Sequence, residues 1–206
     1  WSNGTPDITK RVIITGNYTV NADISACSIE VLLGATMTVT SNATITLQNG
    51  LTVDALALPN SVVFESGTSL IQNSTSNTAN SGSIRYVRNS TDIIQYDYTY
   101  WSSPVDNQII KNFSPNTNNA RFYTHDSSPG VYAWAVVPSV TTHIMAAANG
   151  YIIRAPAGHP AGTPWPGEFY GRPRNGSYSI NVFDNGLVAG IEQNRNLLGN
   201  PYPSAI

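Results

Sequence analysis

Residues 11–72 consist of short runs in which apolar and polar side chains alternate. Met37 and Val39 alternate with threonines, and Ile45 and Leu47 repeat the pattern. A period of two places every second side chain on one face of a strand, so the pattern predicts strands that each bury one face. Residues typical of turns separate the runs, at Gly16, Gly34, Asn42, Asn49, Gly50 and Gly67. The region is therefore restricted to β architectures.

Two arrangements of these strands fit the pattern. In a meander, Asn49 and Gly50 would close a tight hairpin between two neighbouring strands. In a short β-solenoid, successive strands would stack as parallel rungs, and segments 34–39 and 67–71 look like related rung starts. We favour the solenoid, and periodicity alone leaves the meander open.

Residues 73–83 form a polar, low-complexity stretch that marks the best candidate boundary. We therefore predict a β-solenoid-like region at 1–83 and a second region at 84–206. The second region is rich in aromatic residues, and no helical apolar stripe exceeds one or two turns, which indicates an antiparallel β-sandwich of jelly-roll type. Its strand candidates are 84–88, 94–101, 120–124, 131–137, 150–155, 168–171, 177–183 and 187–191.

Tyr96, Tyr98 and Tyr100 are predicted to share one strand face, from which Trp101 turns away. We expect these tyrosines to form a core or inter-sheet layer rather than a platform for a ligand.

Composition excludes several classes of function. Hydrophobic residues make up 41% of the chain, which supports a packed core, and charged residues only 11%, against about 25% in ordinary soluble domains. The net charge is −2 without a run of basic residues, so a nucleic-acid partner is not expected. No apolar stretch is long enough to span a membrane. Cys27, the one cysteine, has no partner in the chain and is interpreted as a small buried hydrophobe.

The residue types needed for catalysis occur without the required spacing. Three histidines lie far apart and outside metal-binding motifs: His125, His143 and His159. The carboxylates are isolated in sequence, whereas glycoside cleavage needs two that converge. We predict no self-contained enzyme, no cofactor and no metal centre, and we leave open one Ca²⁺ held by loop carbonyls and an aspartate such as Asp92, Asp97 or Asp106.

Carbohydrate binding without catalysis is a separate hypothesis. Trp165 lies between Pro164 and Pro166 in a predicted loop at 159–167, and an exposed Trp can stack on a sugar ring. We name Trp165, Tyr170 and His159 as candidate ligand-binding residues. The competing interpretation, that Trp165 plugs the end of the sandwich, is the one we favour.

Several phrases occur in an order that resembles a known group of proteins. They are Trp1–Pro6, Val12–Tyr18, Ala26–Ser28, Ser69–Gln72, Tyr98–Val105, Gly150–Ile153 and Asn196–Ile206. Together they resemble repeated ectodomain regions of large surface proteins exported by the bacterial type 9 secretion system. The resemblance implies export to the cell surface or medium and a long multi-module chain. The last phrase lacks a closing strand, so we expect the native polypeptide to continue.

These observations give one expected function and one alternative. We expect a structural or adhesive module of a secreted bacterial cell-surface protein, active in adhesion, in a surface appendage or in gliding. Its expected partners are the other modules of the same chain, a surface glycan or protein, and further copies in a homo-oligomer or filament. The alternative is a carbohydrate-binding module of a larger secreted glycan-degrading enzyme.

Overall fold

The computed structural model describes residues 1–2, 4–76 and 78–204. Strands account for 40% of the chain and helices for 3%. The first region contains nine short strands in its described part: β1 (Arg11–Ile14), β2 (Asn17–Val20), β3 (Ile24–Ala26), β4 (Ser28–Val31), β5 (Thr36–Val39), β6 (Thr44–Leu47), β7 (Leu51–Val53), β8 (Val62–Phe64) and β9 (Ser69–Gln72).

These nine strands form three rungs of a parallel β-solenoid. Every third strand stacks on the same face, so the sheets run in the orders β1-β4-β7, β2-β5-β8 and β3-β6-β9. All of these pairings are parallel. The solenoid prediction is therefore confirmed. The Asn49–Gly50 hairpin does not form, because β6 and β7 belong to different sheets.

The alternating pattern explains how the solenoid packs. In β5 and β6 the apolar positions are buried and the threonines between them are partly exposed. Parallel register places Ile29 beside Leu51, and Val39 beside Phe64, on the inner side of the stack. Each rung therefore continues an apolar ladder inside the solenoid, and Thr19 beside Thr38 continues a polar ladder outside it.

The last rung is covered by later parts of the chain. On one face Ser81 forms a parallel bridge with Thr52, and on the second face the long strand β10 (Ile84–Ile93) pairs in parallel with β8. On the third face the Leu70 amide donates to the Pro203 carbonyl at 2.7 Å. This coverage satisfies strand edges that would otherwise be free to pair with other chains.

The polar stretch at 73–83 is packed against the solenoid. Asn80 is buried, and its side-chain oxygen accepts the Leu51 amide at 2.8 Å. A Cβ on Gly50 would lie 1.8 Å from the Ala79 carbonyl oxygen, so this close approach requires glycine. Asn77 lies outside the described residues. The division into 1–83 and 84–206 stays a prediction, and β10 joins the two regions through one continuous sheet.

The remaining elements are mostly antiparallel. They are β11 (Tyr98–Trp101), a short helix α1 (Ile110–Phe113), β12 (Phe122–Asp126), β13 (Ala133–Val136), β14 (Tyr151–Arg154), β15 (Thr163–Gly171), β16 (Leu187–Val188) and β17 (Ile191–Glu192). Strand β15 pairs with β10 as an antiparallel ribbon that extends the β2-β5-β8 sheet. A separate four-stranded sheet has the order β11-β14-β12-β13, and β16 pairs with β17.

Aromatic side chains fill the space between the ribbon and the four-stranded sheet. Trp101 from β11, Phe113 from α1, and Trp165 and Phe169 from β15 are buried, with ring centroids 4.6–6.1 Å apart. Gly167 lies beneath this cluster, where a Cβ would come within 2.6 Å of the Trp101 ring. The two sheets are thus held together by ring contacts that tolerate little change in volume.

Two expectations for the second region are wrong. Residues 177–183 form no strand. The tyrosines Tyr96, Tyr98 and Tyr100 are not a core layer, since they are 68%, 37% and 61% exposed. Alternation along β11 turns Tyr98 and Tyr100 outward and Trp101 inward, so the tryptophan alone contributes to the core.

Candidate functional site

The three residues predicted to bind ligand lie together. His159, Trp165 and Tyr170 all line one surface groove of about 380 Å³. Strand β15 contributes two of them, α1 and the turn after it form the facing wall, and Pro156 and Pro166 stiffen the rim. The structure therefore brings these candidates into one place, although their roles differ.

Trp165 is a packing residue in this arrangement. It lies within β15 rather than in a loop at 159–167, since the strand begins at Thr163. Its side chain is 5% exposed, and its ring centroid is 5.1 Å from that of Trp101 and 5.3 Å from that of Phe113. Pro164 and Pro166 point outward, so alternation along the strand directs Trp165 into the core. Its ring therefore packs against other aromatic rings and is not free to stack on a ligand.

Tyr170 is the accessible aromatic residue of the groove. It is 38% exposed, and its hydroxyl donates to the Glu168 carboxylate at 2.5 Å. Its backbone amide donates to the Gln108 side chain at 2.9 Å. Burial, followed by the bond to the carboxylate, raises the pKa of the Tyr170 hydroxyl. The ring is thereby held in a fixed orientation, with part of its surface free for a ligand.

His159 closes one end of the groove. Its Nε2 lies 3.0 Å from the Thr163 carbonyl oxygen, so Nε2 carries the proton and donates. The imidazole is half-buried and ties the turn before β15 to the start of that strand. His159 is therefore a positioning residue for the rim of the groove.

Glu168 is the one carboxylate among the described lining residues of the groove. Arg85 on β10 lies diagonally to it, opposite Tyr170 in the register, with Nη2 2.5 Å from the Glu168 Oε1. The Arg85 guanidinium holds the pKa of Glu168 below its usual range. A general acid for glycoside cleavage needs a raised pKa instead. The groove is thus equipped to bind polar groups through an ionised carboxylate and a phenol.

A second surface has features of a binding site. The outward face of the β11-β14-β12-β13 sheet carries a row of residues in direct register, in which Tyr100 opposes Ile152, and Ile152 and Val136 both oppose Tyr123. Trp134 lies on the same face and is 50% exposed. We call this surface the aromatic face; its outward positions are Tyr98, Tyr100, Tyr123, His125, Trp134, Val136, Ile152 and Arg154.

Sequence reasoning missed the aromatic face for an identifiable reason. The alternation around Tyr98 and Tyr100 predicts a strand, but it does not indicate which of its two faces meets the core. Tyrosine is common on both sides because it has an apolar ring and a polar hydroxyl. Trp101 could have indicated the correct face. It lies on the opposite side of β11 from Tyr98 and Tyr100, and a tryptophan is a stronger candidate for burial than a tyrosine.

The described residues contain no group of three or more His, Cys, Asp or Glu side chains placed to hold a metal ion. In the same part of the chain, no helix is both long and apolar enough to cross a membrane.

Comparison with known proteins gives a family for the chain. The search of curated proteins and the search of solved structures returned no match. The family model described as "Domain of unknown function (DUF8693)" matches residues 1–206. Since this match covers the whole sequence, the chain belongs to the DUF8693 domain family.

Proposed function

We propose that the chain is a non-catalytic adhesive and structural module of a secreted bacterial cell-surface protein. The observation that carries the proposal is the aromatic face, a surface of exposed and partly exposed rings on an otherwise well-packed β framework. Trp134 and Tyr100 are 50% and 61% exposed, whereas on the opposite side of the same sheet Trp101, Phe122, Tyr151 and Ile153 are buried. Exposed aromatic clusters of this kind are a common mark of interaction surfaces.

The framework suits a module that presents such a surface. The solenoid interior and the aromatic cluster belong to one continuous group of buried residues. A continuous core holds the aromatic face in a fixed orientation relative to the solenoid, so little ordering is needed on binding. We also propose that the ribbon and the four-stranded sheet are the two layers of a jelly-roll-type sandwich.

Placement outside the cell rests on the sequence. The phrases that resemble type 9 secretion ectodomains extend over nearly the whole chain, and the surface is polar mainly through Asn, Ser and Thr. Such a surface changes little with salt, because it carries few charges to screen. We propose that the other modules of the same long chain are its covalent neighbours at the cell surface.

The groove supports a second candidate function, a carbohydrate-binding module of a larger secreted glycan-degrading enzyme. Tyr170 offers part of a ring surface, and Glu168 and Asn116 offer polar groups beside it. This combination of a partly exposed ring and hydrogen-bonding side chains suits a single sugar unit. A binding site in the groove rather than on the aromatic face would favour this candidate.

A glycan array combined with adhesion of protein-coated beads to whole cells tests both candidates. The variants are Tyr100→Ala with Trp134→Ala on the aromatic face, and Tyr170→Ala in the groove. We expect the face variant to lose adhesion and the groove variant to keep it. The reverse result would favour the carbohydrate-binding module, and adhesion unchanged in both would overturn the proposal.

Further copies of the same chain are the third kind of expected partner. The first rung, β1 to β3, has no neighbouring strand on its outer side among the described residues. Strand edges of this kind can pair between copies and build a filament. Sedimentation velocity over a range of concentrations tests this, and a monomer throughout would count against a filament.

A further inference from the structure

Two arginines lie beside the aromatic rings at one end of the aromatic face. Arg121, immediately before β12, has Nη1 3.3 Å from the Tyr123 hydroxyl. Arg154, at the end of β14, has its guanidinium carbon 5.5 Å from the centroid of the Tyr96 ring. The Tyr98 and Tyr123 rings meet edge to face, with centroids 6.0 Å apart. Two cations and three tyrosines thus share one small area.

Within the part of the chain that the structure describes, these two arginines have no acidic partner. The ion pairs among described residues include Arg85, Arg172 and Arg174, and none includes Arg121 or Arg154. Moreover, the Nε atom of Arg154 is buried and has no hydrogen-bond partner. An arginine is always charged, so at both positions a guanidinium group lacks a carboxylate partner among the described residues.

The surroundings do not supply the missing charge. The eight outward positions of the aromatic face include no Asp or Glu. Of the nearby acids, the Asp97 carboxylate accepts the Ile94 amide at 2.9 Å, and the Asp126 carboxylate accepts the Ser128 amide at 2.9 Å. Both carboxylates bond to backbone amides of their own turns, and neither forms an ion pair with Arg121 or Arg154. The outward positions of the aromatic face therefore carry Arg154 and no acidic side chain, in a chain whose net charge is −2.

We propose that this end of the aromatic face binds an anionic polysaccharide. The sugar's acidic groups would lie on Arg121 and Arg154, and its ring faces on Tyr98 and Tyr100. A guanidinium fork matches a carboxylate through two parallel hydrogen bonds, and exposed rings supply apolar contact. This inference rests on the proposed adhesive function and names the class of ligand for it.

The charge pattern favours a polysaccharide over a nucleic acid. Stacking rings with arginines also suit single-stranded DNA or RNA. However, the affinity of such sites depends on neutralising a row of phosphates, and two arginines on one small area do not form a row. A polysaccharide with one acidic group per sugar fits this area better. Two of its acidic groups can bond to the two arginines, while the apolar faces of its sugar rings lie on the two tyrosines.

Calorimetric titration of the purified chain with sodium polygalacturonate tests the proposal. The matched control polymer is its methyl ester, which has the same backbone without the charge. We expect the acid form to bind, the ester to bind at least roughly tenfold more weakly, and added NaCl to weaken the first interaction. Equal binding of both polymers, or tighter binding of a single-stranded oligonucleotide, would overturn the proposal.

Variants locate the site. Arg121→Gln and Arg154→Gln should each weaken binding of the acid form by roughly tenfold, since each removes a charged hydrogen-bonding partner. Arg11→Gln removes the same charge from an exposed position on β1 of the solenoid, which is not part of the four-stranded sheet, and should leave binding unchanged. Arg121 is fully exposed, so its variant stays informative even if Arg154→Gln loses stability in thermal unfolding. Equal loss in all three variants would contradict the assignment.

Some results would refute the anionic ligand and leave the proposed adhesive function intact. Binding of the ester that Tyr100→Ala abolishes would keep the adhesive function and overturn only the anionic ligand. Adhesion to cells without binding of any polysaccharide would indicate a protein partner and would likewise overturn only the inference. A dimer that Trp134→Ala dissociates in sedimentation velocity would assign the aromatic face to a second copy instead.

Discussion

Replacing Trp165 with alanine distinguishes a packing residue from a ligand contact. The side chain is 5% exposed and contacts Trp101 and Phe113 through its ring. Deleting it leaves a cavity between the β10–β15 ribbon and the four-stranded sheet. A buried Trp→Ala change costs about 3–5 kcal/mol of unfolding free energy, a large part of the about 5–15 kcal/mol that holds a domain together.

The exposed tryptophan of the aromatic face provides the matched control. Trp134→Ala removes the same atoms from a side chain that is 50% exposed. The Trp134 ring centroid lies 5.1 Å from that of His125. We expect this change to cost less than about 1 kcal/mol, since exposed positions rarely cost more. The two variants therefore differ in burial and not in the chemistry that is removed.

Equilibrium denaturation followed by far-UV circular dichroism measures both variants, since changes in tryptophan fluorescence would confuse the comparison. At about 2–4 °C per kcal/mol for a chain of this size, Trp165→Ala should lower the melting temperature by roughly 6–20 °C. Equal stability losses in the two variants would refute the packing argument. If Trp165→Ala also loses a ligand, that loss reports unfolding and does not place the ligand on Trp165.

Three further outcomes follow from the structure. Gly50→Ala should destabilise the solenoid by more than about 1 kcal/mol, because the new Cβ would meet the Ala79 carbonyl oxygen at 1.8 Å; thermal unfolding measures this. Asp106→Asn should cost about 3 kcal/mol, because the 5%-exposed Arg174 would keep its buried charge without a carboxylate; urea denaturation measures this. Glu168 has a lowered pKa, so its contribution is present above the pKa of an ordinary glutamate, about 4.3, and is lost as the pH falls below that value; relative to Glu168→Gln, the wild type should lose stability on acidification.

Each of these outcomes has its own control. Gly16→Ala should be nearly neutral, because a Cβ there has open space around it. Glu30→Gln breaks an exposed ion pair with Arg11 and should cost less than about 1 kcal/mol. A loss with Gly16→Ala or Glu30→Gln as large as with the variant it controls would contradict the corresponding argument. For the pH series, parallel stability curves for the wild type and Glu168→Gln would contradict the role of the carboxylate.

The sequence predicts the solenoid well because its determinants are local. Alternating apolar and polar residues set the buried face of each short strand, and glycines and asparagines mark where the chain turns. The segments 34–39 and 67–71, predicted to be related rung starts, do not stack on each other, because they contain β5 and most of β9, which belong to different sheets of the solenoid. Parallel stacking was only favoured over a meander, because the pairing partner of a strand depends on contacts distant in sequence.

The candidate site shows where prediction from sequence ends. Trp165, Tyr170 and His159 were named from residue type and loop composition, and they do line one groove. The sequence could not indicate which of the three is buried and which is accessible. The burial of Trp165 depends on rings from Trp101 and from α1, which are distant in the sequence. The region at 163–167 reads as a loop from its prolines, yet its pairing with β10 makes it a strand.

The sequence by itself determined an all-β chain with a solenoid-like first region, because strand periodicity and turn residues act over a few positions. Only the tertiary structure decided that Tyr98 and Tyr100 face solvent while Trp101 faces the core. It also placed Arg121 and Arg154 on the same face, although they lie 33 residues apart in the sequence. The physical reason is that an antiparallel sheet aligns distant segments by register, and the layer packed beneath it selects which face is buried.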